Sequence, residues 1–232
     1  MTMASFSSRE VSSTKPRGFQ PPRESAFIWD ALTQDTNVSV IILDSAGIIE
    51  FANDRAVESF KLKSKEGCIG KSIAEYLPAD LIRDRMNLAK ECLASGKALT
   101  IEGMTNGVLL HCTFRPVPGG RVMSVSHLAA PNDPMSAKTE PGVVKAQVQD
   151  PGSLSVLTTR EMEILKLIGL GLSSAEIARR LDRSVKTVEW HRVSLGDKLG
   201  VTNRVELARI AIGAGLVGVD QPRTANGAPS NN

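Results

Sequence analysis

The sequence predicts an α+β domain built on an antiparallel sheet with helices, followed by an all-α domain of four helices. Three observations carry this prediction. Residues 25–128 run as two strands, short helical pieces, a long helix and three more strands. Residues 154–219 hold four apolar stripes at helical spacing. Between them, residues 129–153 gather Pro131, Pro134, Pro141, Gly142, Pro151 and Gly152 among small and polar residues, the composition of a flexible linker.

The chain has 232 residues, 41% of them apolar and 23% charged. That is enough for one or two domains, and it excludes collagen-like and wholly disordered classes. No run approaches the ~18 apolar residues of a membrane span. Met1–Arg23 is rich in Ser, Pro and Arg and lacks the apolar core of a secretory signal. A cytoplasmic location with no membrane partner is therefore expected. Cys68, Cys92 and Cys112 are odd in number and lack metal-ligand spacing, as expected of reduced, packed thiols. Aromatics make up only 4%, which removes a broad stacking platform for single strands. The net charge is +3. Residues 154–219 carry 10 Lys and Arg against 7 Asp and Glu, whereas residues 25–128 carry 11 against 12. The positive surplus thus favours the helical domain as the part that meets nucleic acid.

Element by element, residues 1–24 read as a disordered arm and residues 220–232 as a disordered tail. Ala26–Leu32 forms a short amphipathic helix. Val38–Leu43 is a β-branched run, closed by Asp44-Ser45-Ala46-Gly47 and answered by Ile48–Phe51, a hairpin. Residues 53–78 give helical pieces broken by Gly67, Gly70 and Pro78. Ala79–Ser95 is a longer helix stopped at Gly96. Leu99–Met104, Val108–Val117 and Val122–Leu128 are strands, turned by Asn106-Gly107 and by Pro118-Gly119-Gly120. Alternation on the second of these strands points His111 outward with Thr113 and Arg115, while His127, in register with Met123 and Val125, is expected to face inward.

The hairpin VSVIILDSAGIIEFAN, the helix NDRAVESF, the stretch GKSIAEYLP, the long helix and the three-strand meander together resemble a PAS domain over residues 25–128. The resemblance implies a sensor or dimerisation domain. A small ligand or haem in its cavity is one possible cofactor, and no cofactor at all is the leading expectation. The long helix has no His to ligate haem, and NDRAVESF lacks the Cys of flavin photoreceptors.

In the helical domain, Thr158 with Glu161 three residues on forms a capping box before the stripe Met162, Leu165, Ile168. Ser173 or Ser174 caps a second helix through Ile177 and Leu181. After Asp182-Arg183, Ser184 caps a third, and a fourth runs from Asn203 to Gly215. Helices two and three form a helix-turn-helix candidate. In such a unit the second helix of the pair enters the major groove, while helix N-termini and short hydroxyls hold phosphates. The residues placed to do this are Ser173 and Ser174, then Ser184, Lys186 and Thr187, then Glu189, Trp190, Arg192, Val193 and Lys198, with Arg204 on the fourth helix. Val188 and Leu195 point to the core, and His191 lies on the apolar side as a packing residue.

The string LTTREMEILKLIGLGLSSAEIARRLDRSVKTVEWHRVSLGDKLGVTNRVELARIAIGAGL, residues 157–216, is similar throughout to the LuxR-type helix-turn-helix domain. The resemblance implies a non-enzymatic transcription regulator that binds double-stranded DNA as a homodimer, with RNA polymerase or a sensor kinase as further partners. Many family members carry Lys where this chain has Glu189. A carboxylate there repels phosphate but accepts from a cytosine amino group.

Other classes fit less well. A sigma-factor-like subunit needs an aromatic, basic strand-melting segment, and none is present. Enzyme signatures are also absent, with no Gly-rich phosphate loop, metal cluster or nucleophile elbow. The alternative within the regulator class makes the first domain a ligand-free scaffold that recruits a partner to DNA, with Ala26–Leu32 as its contact surface.

Overall fold

A computed structural model describes residues 26–34, 36–129 and 143–218. The expected arm, 1–24, and tail, 220–232, lie outside these residues. The first unit runs α1 (Ala26–Gln34), β1 (Ser39–Leu43), β2 (Ile49–Ala52), α2 (Asp54–Ser59), α3 (Lys65–Cys68), a 3-10 turn at Ile73–Glu75, α4 (Ala79–Ser95), β3 (Leu99–Thr105), β4 (Val108–Val117) and β5 (Arg121–Leu128). A further strand, β6 (Val143–Lys145), completes a six-stranded sheet of order β2-β1-β5-β4-β3-β6. All pairings are antiparallel except β3 with β6. The α+β prediction is met.

Turn chemistry sets the register. Asp44 Oδ1 accepts from the backbone N–H of Ala46 and Ile48, at 2.9 and 2.8 Å, and folds the β1–β2 hairpin. Asn106 and Gly107 both take positive φ, 51° and 77°, the mirror-image turn that matches strand twist. Gly96, at φ 66°, ends α4 by donating its N–H to the Cys92 carbonyl. One sheet face, with Ile41, Leu43, Ala52, Ile101, Leu110, Cys112 and Phe114, packs with Ala89 and Cys92 of α4 into a single apolar core.

Asn53 ties three elements together. Its Oδ1 accepts from Val40 N and Ala56 N, capping α2, while its Nδ2 donates to the carbonyls of Thr33 and Val38. All four bonds lie within 2.6–2.9 Å. Trp29 of α1 meets Phe51 of β2 edge to face at 5.3 Å. Phe51 pairs with Ile42, and Ile42 with Met123, so this contact lies on the sheet face opposite the α4 core.

Two expectations need correction there. His111 does share the face of Thr113 and Arg115, but it is buried, with Nε2 3.1 Å from Glu102 Oε2. Alternation fixes the face and says nothing about whether that face is covered. His127 pairs with His111 across β4–β5, and their rings lie 5.5 Å apart, so His127 shares the His111 face and does not face the core.

The expected flexible linker is also corrected over its described half. Val143–Lys145 adds to the edge of β3. Ala146 N donates to the Glu102 carbonyl, Asp150 N to that of Met104, and Gly107 N to that of Asp150. The Asp150 carboxylate accepts from Asn106 N and Gly152 N, at 2.8 and 3.0 Å. Unpaired edge N–H and C=O groups on β3 are the physical reason, because they offer any nearby backbone a ladder. Residues 130–142 lie outside the described set.

The second unit comprises a 3-10 turn at Gly152–Val156, α5 (Thr159–Gly169), α6 (Ser174–Arg180), α7 (Val185–Leu199) and α8 (Arg204–Gly213). Its core joins Leu154, Ile164, Leu165, Ile168, Ile177, Val188, Leu195, Leu207 and Ala211. Leu154 thus carries the strap of residues 143–153 directly into the helical core.

Candidate nucleic-acid interface

The α6–α7 pair is shaped by its caps. Ser173 caps α6 and Glu176 returns the bond, a reciprocal capping box like that of Thr158 and Glu161 on α5. Asp182 takes φ 51° in the turn, and Arg183 N donates to the Ala178 carbonyl. This closes α6 in a left-handed stop that Asp tolerates better than most residues. Ser184 then caps α7 through Thr187 N at 3.1 Å.

α7 has 15 residues, about 22 Å at 1.5 Å per residue, enough to lie along a major groove. Its inner side buries Val188 and Leu195. On its outer side Lys186, Trp190 and Val193 fall at i, i+4 and i+7 and form one row. Trp190 is 67% exposed and Val193 56% exposed. Trp190 touches His191 edge to face at 5.1 Å. His191 is half-buried, as its apolar side predicts, and its Nδ1 has no hydrogen-bond partner among the described residues.

The structure sorts the sequence-derived residues into two groups. Lys186, Trp190 and Val193 face outward, next to the Ser184–Thr187 hydroxyl pair, which is 2.8 Å apart. The others already hold bonds inside the domain. The Ser173 hydroxyl serves the cap. The Ser174 hydroxyl donates to Glu189 Oε1, and Arg192 Nε donates to Glu189 Oε2 at 2.8 Å. These two donors, Ser174 foremost, hold the Glu189 carboxyl below the usual carboxylate range. Arg204 donates to the Leu172 carbonyl and staples α8 to the start of α6. Lys198 donates to both oxygens of Glu161, and Ser194 adds a bond at 2.8 Å. Lys198 and Arg204 therefore do not stand free as simple phosphate contacts.

Sequence reading missed Arg179, Arg180 and Arg183. All three are exposed at the end of α6 and in the turn, and none forms an ion pair among the described residues. The charge run ARRLDR is the signal that marks them.

Two of the spaces among the described residues border the sheet. One, about 60 Å³, lies between α4 and the sheet among Ile41, Leu81, Arg85, Met86, Cys112 and Phe114. That is well below the ~300–1,000 Å³ of ligand pockets. Haem does not fit it, and His111 and His127 lie on the opposite sheet face. The other, about 520 Å³, is a cleft where the two units meet, bordered by Arg55, Asn106, His127, Leu154 and Arg209. Burial pushes all three thiols upward in pKa, Cys112 among them although the Ser126 hydroxyl bonds its sulfur. Among the described residues no group of three or more potential metal ligands occurs, and no helix is long and apolar enough to cross a membrane.

Comparison with known proteins gives each unit a relationship. Residues 34–130 match the family described as PAS fold, and residues 155–211 match bacterial regulatory proteins of the luxR family. The oxygen regulatory protein NreC of Staphylococcus aureus strain MRSA252 is 43% identical over 67 residues, which is 29% of this chain and 30% of NreC. The match thus spans under a third of that relative. Among solved structures, a ligand–DNA complex of VqmA from Vibrio cholerae is 20% identical, with TM-score 0.43, covering 86% of this chain and 92% of that one. The PAS domain of nitrogen regulation protein NR(II) from Vibrio parahaemolyticus is 18% identical, with TM-score 0.34, covering 44% of this chain and 98% of that one. The chain carries a PAS-fold segment followed by a luxR-type helix-turn-helix segment.

Proposed function

We propose that this chain is a DNA-binding transcription regulator. Two copies place α7 in successive major grooves, and the PAS-fold unit sets how the two are spaced. The observation that carries this reading is the outward row of Lys186, Trp190 and Val193 on α7, opposite buried Val188 and Leu195, within the luxR-family segment. Ser184 and Thr187, at the N-terminus of α7, supply hydroxyls and backbone N–H groups for phosphate. Lys186, Arg183 and Arg179 supply positive charge, and Trp190 and Val193 supply apolar contact for thymine methyls. Lys198 and Arg204 act one step back, holding α7 and α8 in place.

The strap of residues 143–153 gives the coupling a physical route. It is bonded along β3 and ends in the helical core at Leu154. A signal that shifts the sheet edge therefore biases where α7 sits, a population shift between two spacings. The small core cavity favours a second reading of the first unit alone, a ligand-free dimerisation or recruitment scaffold.

Selection of bound duplexes from a random pool, followed by sedimentation of the complex, tests the proposal. The expected result is an enriched site with two-fold symmetry bound by two chains. A pool that stays random after repeated selection contradicts it.

A further inference from the structure

We infer that Glu189 is a positioning residue for Arg192, holding its Nε so that the two Nη groups are left to read a guanine in the major groove. This rests on the DNA-binding reading above and deepens it. Three observations support it. The Glu189 carboxylate is used at both oxygens, by Ser174 from α6 and by Arg192 from one turn further along α7. Each oxygen therefore already accepts one bond, and the carboxylate is oriented from two helices. Second, Glu189 and Arg192 are spaced i, i+3 and stay 42% and 33% exposed, so the pair sits at the surface beside the Trp190 row. Third, the Nη groups of Arg192 have no partner among the described residues.

The chemistry follows from the shape of guanidinium. Its five N–H donors form a planar fork, and with Nε occupied the remaining edge is the Nη1–Nη2 end. That end matches the O6 and N7 acceptors of guanine. A free arginine loses rotamer freedom on binding, whereas one already pinned at Nε loses less. Ser174, anchored at the start of α6, fixes the carboxylate in turn, so the alignment is set by two helices. The pair is also close to neutral, which lowers its pull on phosphate at any sequence and leaves discrimination as its contribution.

The test uses the full-length chain and the duplex site recovered by selection. Affinities for that site, for the same site with each guanine exchanged in turn, and for random duplex are measured across salt for wild type, Glu189→Gln, Glu189→Ala and Arg192→Ala. The expected result is one guanine whose exchange costs wild type ~10-fold or more. Glu189→Ala and Arg192→Ala both lose that preference. Glu189→Gln keeps most of it, because the amide oxygen still accepts from Nε. Glu189→Ala also binds random duplex more tightly and with a steeper salt dependence, as the released arginine turns to phosphate. The inference is overturned if Glu189→Ala keeps the guanine preference, or if it weakens every duplex by the same factor. Failure of wild type to distinguish its site from random duplex overturns the DNA-binding reading itself, and this inference with it.

Discussion

Lys198 on α7 donates to both carboxylate oxygens of Glu161 on α5, at 2.8 and 2.6 Å. Glu161 is 3% exposed and also closes the α5 capping box, so one carboxylate serves a cap and an interhelical ion pair. Lys198, with help from the Thr158 and Ser194 bonds and against the cost of burial, pulls its pKa from 4.5 to about 2.

A pH dependence follows. The folded pKa lies below the unfolded one, so the contribution is complete above about pH 4.5 and is lost as pH falls toward 2. Glu161→Gln is expected to cost up to ~3 kcal/mol at pH 7, and that cost should shrink by ~1 kcal/mol at pH 3.5. Denaturant unfolding of both proteins at the two pH values measures it. A cost that does not change with pH would show that the pair contributes no ionic stability.

Asn53 makes a second stability test. Replacing it with Ala removes bonds to Val40, Ala56, Thr33 and Val38 at once. Two buried N–H groups and two carbonyls lose their side-chain partner, and the expected loss is ~2–4 kcal/mol. Asn53→Asp keeps the acceptor but sets a buried carboxylate oxygen against the Thr33 and Val38 carbonyls, and should cost at least as much as Asn53→Ala. Equal stability of all three proteins in thermal unfolding would remove Asn53 from its proposed role.

Gly152 tests the strap. It has φ 52°, and a Cβ there would lie 2.8 Å from the Asn106 carbonyl carbon. Gly152→Val is expected to detach residues 146–153 from the β3–β4 turn while each unit keeps its own core. Limited proteolysis should then cut in that segment, at sites protected in wild type. Unchanged protection would mean the docking does not depend on this close approach.

The thiols give a chemical test. Cys68, Cys92 and Cys112 are all buried, with burial raising each pKa. Thiol labelling of the native protein at pH 8 should be far slower than after unfolding in guanidinium, when all three react. Rapid native labelling of any one would point to a redox-sensitive site.

Much of this architecture can be read from the sequence because it is set locally. Pro78 and Gly96 bracket α4, Asn106-Gly107 admits essentially one hairpin turn, and Thr158 with Glu161 marks the start of α5. β6 is not legible, since Val143-Val144-Lys145 is too short for a pattern and its pairing with β3 is parallel and distant in sequence. The burial of His111 is hidden for a related reason, because alternation assigns a face and tertiary packing decides its cover. In the interface, the row Lys186, Trp190 and Val193 follows from helical spacing alone. The engagement of Lys198 by Glu161 and of Arg204 by the Leu172 carbonyl depends on how helices pack, which residue type and spacing do not disclose.

The proposed function places the outward row of α7 in the major groove. Its most direct test is a fluorescence-anisotropy titration of wild type, Lys186→Ala and Trp190→Ala against the selected site and random duplex, between 50 and 300 mM salt. Wild type should prefer its site by ~10³-fold or more. Lys186→Ala should weaken both duplexes and flatten the salt slope by ~0.9 per chain. Trp190→Ala should weaken the selected site chiefly. Equal affinity of wild type for both duplexes, or indifference to both substitutions, would contradict the account.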